Sequence, residues 1–205
     1  DNRLLWKFPL RRMEAEVVRD SLFYLADDLD TTMFGQEIEQ DQGLTTNRRS
    51  LYYSYHGEAK MEFLALFDGP SSTDCYRRQT TVRPQQALAL TNSQLALKQG
   101  RRIAARLWSE QAQLTGKSPS EQDLDFIRNT FKLILARAPN QREEAAALRF
   151  LEQQLTLFQK VPQATDQKPA EQKKPFEQPA TDPAARARES LVQALFNHND
   201  FVTIR

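Results

Sequence analysis

The sequence is short of cysteine, histidine, glycine and long apolar runs, and each shortage excludes a class of chemistry. Cys75 is the only cysteine among 205 residues, so this segment holds no intramolecular disulfide, no cysteine zinc cluster and no C-x-x-C-H haem attachment. The two histidines, His56 and His198, are far apart in sequence and have no ligand-like neighbours. A metal site would need folding to bring them together with carboxylates, and none is expected. With six glycines there is no phosphate-cradling loop, and neither a G-x-S-x-G elbow nor an H-E-x-x-H pair appears. No apolar run approaches the roughly 18–20 residues that cross a bilayer, so no membrane span is expected in this segment. Formal net charge is +1, from 28 basic and 27 acidic residues. That balance gives no global attraction to nucleic acid, and any electrostatic function must be local.

What is present is helical periodicity. Val18, Leu22, Leu25 and Leu29 recur at helical spacing, widened by Met13, Val17 and Tyr24, and predict a helix over about 12–29. Residues 30–47 lose that period and read as a long loop. "RRSLYYSYHG", 48–57, has a strand's aromatic content but no visible partner strand. It is expected as extended chain or half of a two-stranded ribbon. "AKMEFLALFDG" reads as a short helix ended by Gly69 and Pro70. Pro84 fits the first turn of the next helix, and Asn92 or Ser93 caps a longer one over about 93–113, with Gly100 as its weak point. Ser120 with Asp123 resembles a capping box, and Asn140 with Glu143 opens the following helix. The two helices form a hairpin.

Residues 161–182, "VPQATDQKPAEQKKPFEQPATD", are proline-rich and poor in apolar side chains, and read as a disordered linker or insertion. Asp182 and Pro183 then start a last helix whose Leu191, Val192, Leu195 and Phe196 need a surface to dock on. The expected organisation is an all-α, bundle-like domain over 1–160, with an irregular excursion at 30–83. The C-terminal helix of 183–205 docks back on that domain.

Arginine doublets stand out in the excursion and just before it: Arg11–Arg12, Arg48–Arg49 and Arg77–Arg78. Guanidinium forks pair bidentately with carboxylates and stack on aromatic rings. Glu14, Glu16, Asp20, Asp68 and Asp74 supply the acids, and Tyr52, Tyr53, Tyr55 and Tyr76 the rings. One outcome is an ion-pair network pinning the excursion to the helical body. The other is a site for an anionic ligand such as a sulfated or carboxylated glycan. Candidate binding residues are Arg12, Arg48, Arg49, Tyr53, Tyr55, Asp68, Arg77 and Arg78, and no nucleic-acid partner is expected. Glu16 and Asp20, four apart on one helical face, have the separation of a retaining glycosidase's carboxylates. Helical ion pairing with Arg12 and Arg19 explains them without catalysis. Cys75 has arginines nearby but only His56 as a base, so catalytic residues are not assigned.

The succession "NRLLW", "RRMEAEVVRDSL", "RRSLYYSY", "FLALFDGPSSTDCYRRQTTVRPQQALALTNS" and "LVQALFNHNDFV" resembles a planctomycete domain family of unknown function. The resemblance covers most of the chain apart from the proline-rich insertion. It implies a C-terminal position in an exported, extracytoplasmic multidomain protein whose upstream parts include a cytochrome-c-like module. The partners it implies are the other domains of that parent chain. Haem would belong to the upstream module, so no cofactor is assigned here. "DNRLLWKFPLRRMEAE" has no signal-peptide core and reads as a trimming point in a longer chain. The expected function is a non-catalytic scaffold or recognition domain with residues 48–83 as its contact surface. A hydrolase or binding module acting on anionic polysaccharide is the alternative.

Overall fold

A computed structural model of the chain describes residues 3–4, 8–56, 60–71, 78, 80–112, 118–160, 176 and 178–204. Within them the molecule is all-α. The helices are α1 (Ala15–Leu25), α2 (Glu62–Leu66), α3 (Pro84–Asn92), α4 (Gln94–Ala112), α5 (Pro119–Leu135), α6 (Gln141–Lys160) and α7 (Pro183–Phe196). Most of the proline-rich 161–182 segment, expected as a linker, lies outside the described residues.

Local chemistry sets most of these boundaries. Pro84 occupies the first turn of α3, where its missing N–H is not needed. Ser93 Oγ accepts from Ala96 N–H at the start of α4. Asp182 accepts from Ala185 N–H to open α7. Asn140 and Glu143 cap each other reciprocally at 2.9 and 2.8 Å before α6. The box on α5 is Ser118 with Glu121, two residues earlier than the spacing of Ser120 and Asp123 suggests. Pro119 at the first helical position fixes that start, because the residue before a proline avoids helical backbone.

α7 is the centre of the packing. It lies against α4, α5 and α6 and inserts Leu191, Val192, Leu195 and Phe196 into the core. There Phe196 meets Phe201, with ring centroids 5.1 Å apart. Leu95, Ile103, Phe126 and Ile127 are buried in the same core. Gly100 sits on the α4 face turned to α7, where an added Cβ would lie 3.4 Å from the Phe196 ring and 3.6 Å from Gln193 Cγ and Val192 Cγ1.

The two-stranded ribbon exists, but away from the excursion. β1 (Arg11–Arg12) pairs antiparallel with β2 (Thr203–Ile204), Arg11 opposite Ile204 and Arg12 opposite Thr203, and Met13 N–H extends the ladder to Val202 O at 2.8 Å. This pairing uses residues 11–13 in extended form, so α1 starts at Ala15. The tyrosine run instead coils through a 3-10 turn at Ser50–Tyr52. Around that turn it makes isolated parallel bridges, Asp30 with Arg48 and Ile38 with Tyr53.

The α5–α6 hairpin is tied to the turn after α7 by Arg137, which donates to Glu143 at 2.7 and 2.8 Å and to Asp200 at 2.8 Å. Those Arg137 bonds, with the Asn140 N–H, hold the Glu143 carboxyl down at about 2 against an ordinary 4.5. A depressed folded value contributes stability above the unfolded value and loses it as pH falls through the folded one. Acid titration of stability is therefore expected to decline between about 4.5 and about 2, and Glu143→Gln to flatten that decline. Gly100→Ala is expected to raise stability by about 0.5–1 kcal/mol in denaturant unfolding, because the new methyl meets only ordinary contacts and helical glycine is costly.

Candidate functional site

The excursion has little ladder bonding, so its carbonyls need other donors. One buried guanidinium supplies them. Arg19 on α1 is fully buried. Its Nε donates to Gly43 O at 3.0 Å, Nη1 to Arg48 O at 2.9 Å, and Nη2 to Thr46 O at 2.5 Å. Its Cζ lies over two rings, 4.6 Å from the Phe23 centroid and 4.9 Å from that of Tyr53. Neighbouring Asp20 accepts from Ser50 N–H at 2.9 Å and Ser50 Oγ at 2.5 Å, and lies 3.4 Å from Arg19. Burial lowers the Arg19 pKa, and burial also pushes the Tyr53 hydroxyl up to about 12. A Cβ at Gly43 would lie 2.5 Å from Met61 Cγ and 2.6 Å from its Cε, so a larger residue there would require the Met61 side chain to move.

The expected residues fall into separate groups around this peg. Tyr53 is buried under Arg19, with its hydroxyl donating to Gly43 O at 3.3 Å. Arg12 donates to Gln86 Oε1 at 2.6 Å, and Gln86 bonds Leu66 O at 3.0 Å. Asp68 accepts from Thr81 N–H at 2.6 Å and Thr81 Oγ1 at 2.7 Å, closing the loop before α3. Arg78 grips Glu16 bidentately at 2.6 and 3.0 Å, with Glu14 at 3.6 Å, and the Glu16 bonds raise its pKa. Its side chain is 30% exposed, so this is a half-open surface pair. Tyr55 is at the edge of exposure. Arg77, Cys75, Asp74 and Tyr76 lie outside the described residues. Helical pairing of Glu16 with Arg12 or Arg19, the sequence expectation, does not form: Arg12 is spent on Gln86 and Arg19 on loop carbonyls.

Arg48 does something different. It stacks on Tyr52, 4.2 Å from the ring centroid, and donates to Thr32 O at 3.1 Å and Phe34 O at 2.6 Å. Phe34 N–H donates to Tyr52 Oη at 2.9 Å. Both backbone groups of Phe34 are thus held by one stacked pair. Phe34 sits at φ 66°, a strained setting for a bulky residue, with its side chain 80% exposed beside exposed Met33.

The Arg49 guanidinium has no polar partner among the described residues. It lines a groove of about 320 Å³ on the outer side of α1 with Glu16, Val17, Asp20, Ser21, Tyr24, Leu29 and Leu51. Val17 and Tyr24, expected to widen the apolar stripe of α1, are 41% and 69% exposed. With Ser21 they lie at i, i+4 and i+7, a second face beside the buried one of Ala15, Val18 and Leu22. That spacing was the available signal. A cavity of about 360 Å³ between α4 and α7 is walled by Trp108, Phe176, Ala104 and Ala185. Its charged groups are committed internally, Arg188 to Asp123 at 3.3 Å and Glu189 to Ala180 N–H at 3.1 Å. Among the described residues, no group of three potential metal ligands occurs and no helix is long and apolar enough to cross a membrane.

The chain belongs to the PSD1 family, described as "Protein of unknown function (DUF1553)", whose model matches residues 1–151. α1, the excursion and both rings around Arg19 fall inside the match. The closing "LVQALFNHNDFV" falls outside it. No curated protein and no solved structure matches.

Substitutions should rank by this geometry in denaturant unfolding. Arg19→Met strands Asp20 and three carbonyls and is expected to cost about 3–5 kcal/mol. Arg78→Ala removes a partly exposed pair and should cost about 1 kcal/mol or less. Arg49→Ala should stay within about 0.5 kcal/mol of the parent.

Proposed function

We propose that this PSD1-family domain is a non-catalytic recognition and scaffolding module. The carrying observation is the state of the α1 carboxylate pair. Glu16 and Asp20 have the spacing a glycosidase needs, but each is engaged in holding the excursion: Glu16 by Arg78, Asp20 by Ser50 and Arg19. A general acid requires a carboxyl kept protonated, and a nucleophile requires free approach. Multiple donors to both oxygens work against each. The excursion, so anchored, offers a rigidly held Phe34 tip and the α1 groove as contact surfaces, and preorganised surfaces lose little freedom on binding.

The wider setting follows from the resemblance in the sequence. In this proposal the domain is the C-terminal part of an exported planctomycete protein, extracytoplasmic, with a cytochrome-c-like module upstream and that module among its partners. Haem belongs there and not to residues 1–205. A C-x-x-C-H motif preceding this segment in the parent chain, and haem-linked staining of the exported protein, test that setting.

Asp20→Asn separates the two functional readings. The module is expected to lose about 1.5–3 kcal/mol on this change, because the carboxylate serves the fold. The unchanged protein should release no reducing sugar from polyuronates or sulfated polysaccharides. Turnover by the parent that Asp20→Asn abolishes at an unaltered unfolding midpoint would establish a hydrolase instead.

A further inference from the structure

We propose that the α1 groove binds a short saccharide carrying an anionic group, with Arg49 as the anion's partner and Tyr24 as the stacking face. The inference rests on the recognition reading and names its ligand class.

Local charge pairing gives the first support. Each carboxylate in the groove already has its own guanidinium, Glu16 with Arg78 and Asp20 with Arg19. Arg49 is left over, a cation lining the groove with no polar partner among the described residues. An incoming carboxylate or sulfate would complete it, and a guanidinium fork takes either bidentately.

The second support is what else the groove offers. Glu16 and Asp20 are fixed by their structural bonds yet remain partly open, at 22% and 18% exposure. A carboxylate has about four acceptor positions, so both retain capacity for a ligand's hydroxyl donors. Ser21 adds a hydroxyl, and Tyr24 presents a ring that is 69% exposed. A ligand satisfying all of these carries many hydroxyls, one apolar face and one negative charge. That combination describes a uronic acid or a sulfated sugar. A simple anion would leave the ring and the acceptors unused, and an apolar peptide side chain would leave Arg49 unpaired. The volume, about 320 Å³, is at the small end of ligand sites and suits a short saccharide.

The groove is also stiff. Its floor is α1, and its far wall is the chain at Arg49–Leu51, held to α1 through Ser50 and Asp20. A ligand's hydroxyls therefore meet carboxylates already in place, which lowers the ordering cost of binding.

Isothermal titration at low salt tests this with trigalacturonate, a sulfated trisaccharide, neutral maltotriose, and sodium acetate and sulfate alone. At least one charged trisaccharide is expected to bind saturably and at least tenfold more tightly than maltotriose or either free anion. The stronger of the two identifies the anionic group. Arg49→Gln should weaken it at least tenfold and Tyr24→Ala several-fold, both at unchanged unfolding midpoints, while Lys132→Gln on α5 leaves it unaltered. Absence of saturable binding, equal binding of maltotriose or of the free anions, or full affinity in Arg49→Gln would overturn the proposal. Cleavage of a bound trisaccharide would overturn the non-catalytic reading and leave the ligand assignment standing, so the two failures are distinct.

Discussion

The structure depends on one guanidinium taken out of water. Burying the Arg19 charge costs several kcal/mol before any partner is counted. The cost is offset because its donors meet the carbonyls of Gly43, Thr46 and Arg48, which a loop without ladder bonds would otherwise leave unpaired. The rings of Phe23 and Tyr53 pack against it. A hydrophobic side chain of equal size could fill the space but could not receive those carbonyls. Lysine, with a compact ammonium in place of a planar fork, could not reach all three. Arg19 therefore does for the excursion what a neighbouring strand does in a sheet, and it fixes one path among the many an irregular segment could take.

This division of labour explains the arrangement of the other charges. Asp20 seats Ser50, Asp68 seats Thr81, Arg12 seats Gln86, and Arg48 with Tyr52 seats the backbone of Phe34. Apart from Arg12, which joins β1 to α3, each polar side chain closes a stretch of chain that has no regular partner. The side chains left over, Arg49 half-buried and Tyr24 and Phe34 exposed, are presented by a frame that does not need them for its own cohesion. Holding Phe34 at positive φ costs of order 1–3 kcal/mol, which the stacked Arg48–Tyr52 pair must offset.

The helical half was legible because its signals are local. Proline after an extended residue, reciprocal caps such as Asn140 with Glu143, and apolar spacing in α5 to α7 all act within a few residues. Ser118 was missed in favour of Ser120 because two overlapping serine–acid spacings compete there, and Pro119 decides between them. The excursion was legible only as glue of some kind. Arg19 looked like a helical neighbour of Glu16, since nothing in sequence marks a side chain whose acceptors are main-chain carbonyls 24 to 29 residues away. The β1–β2 ribbon was invisible for a similar reason: two residues at each end carry no periodicity, and their pairing is set by where α7 delivers the chain. Arg49 was named as a candidate, but its freedom could be seen only once every nearby carboxylate was found engaged.

Amide hydrogen exchange on Arg19→Lys tests the central claim most directly. If the buried guanidinium is what holds the excursion to the helical body, protection should fall selectively in residues 38–54, at Ile38, Tyr53 and Ser54 above all. The amides of α4 to α7 should keep the protection of the parent. Unchanged protection at 38–54, or a uniform loss across the whole molecule, would contradict the account.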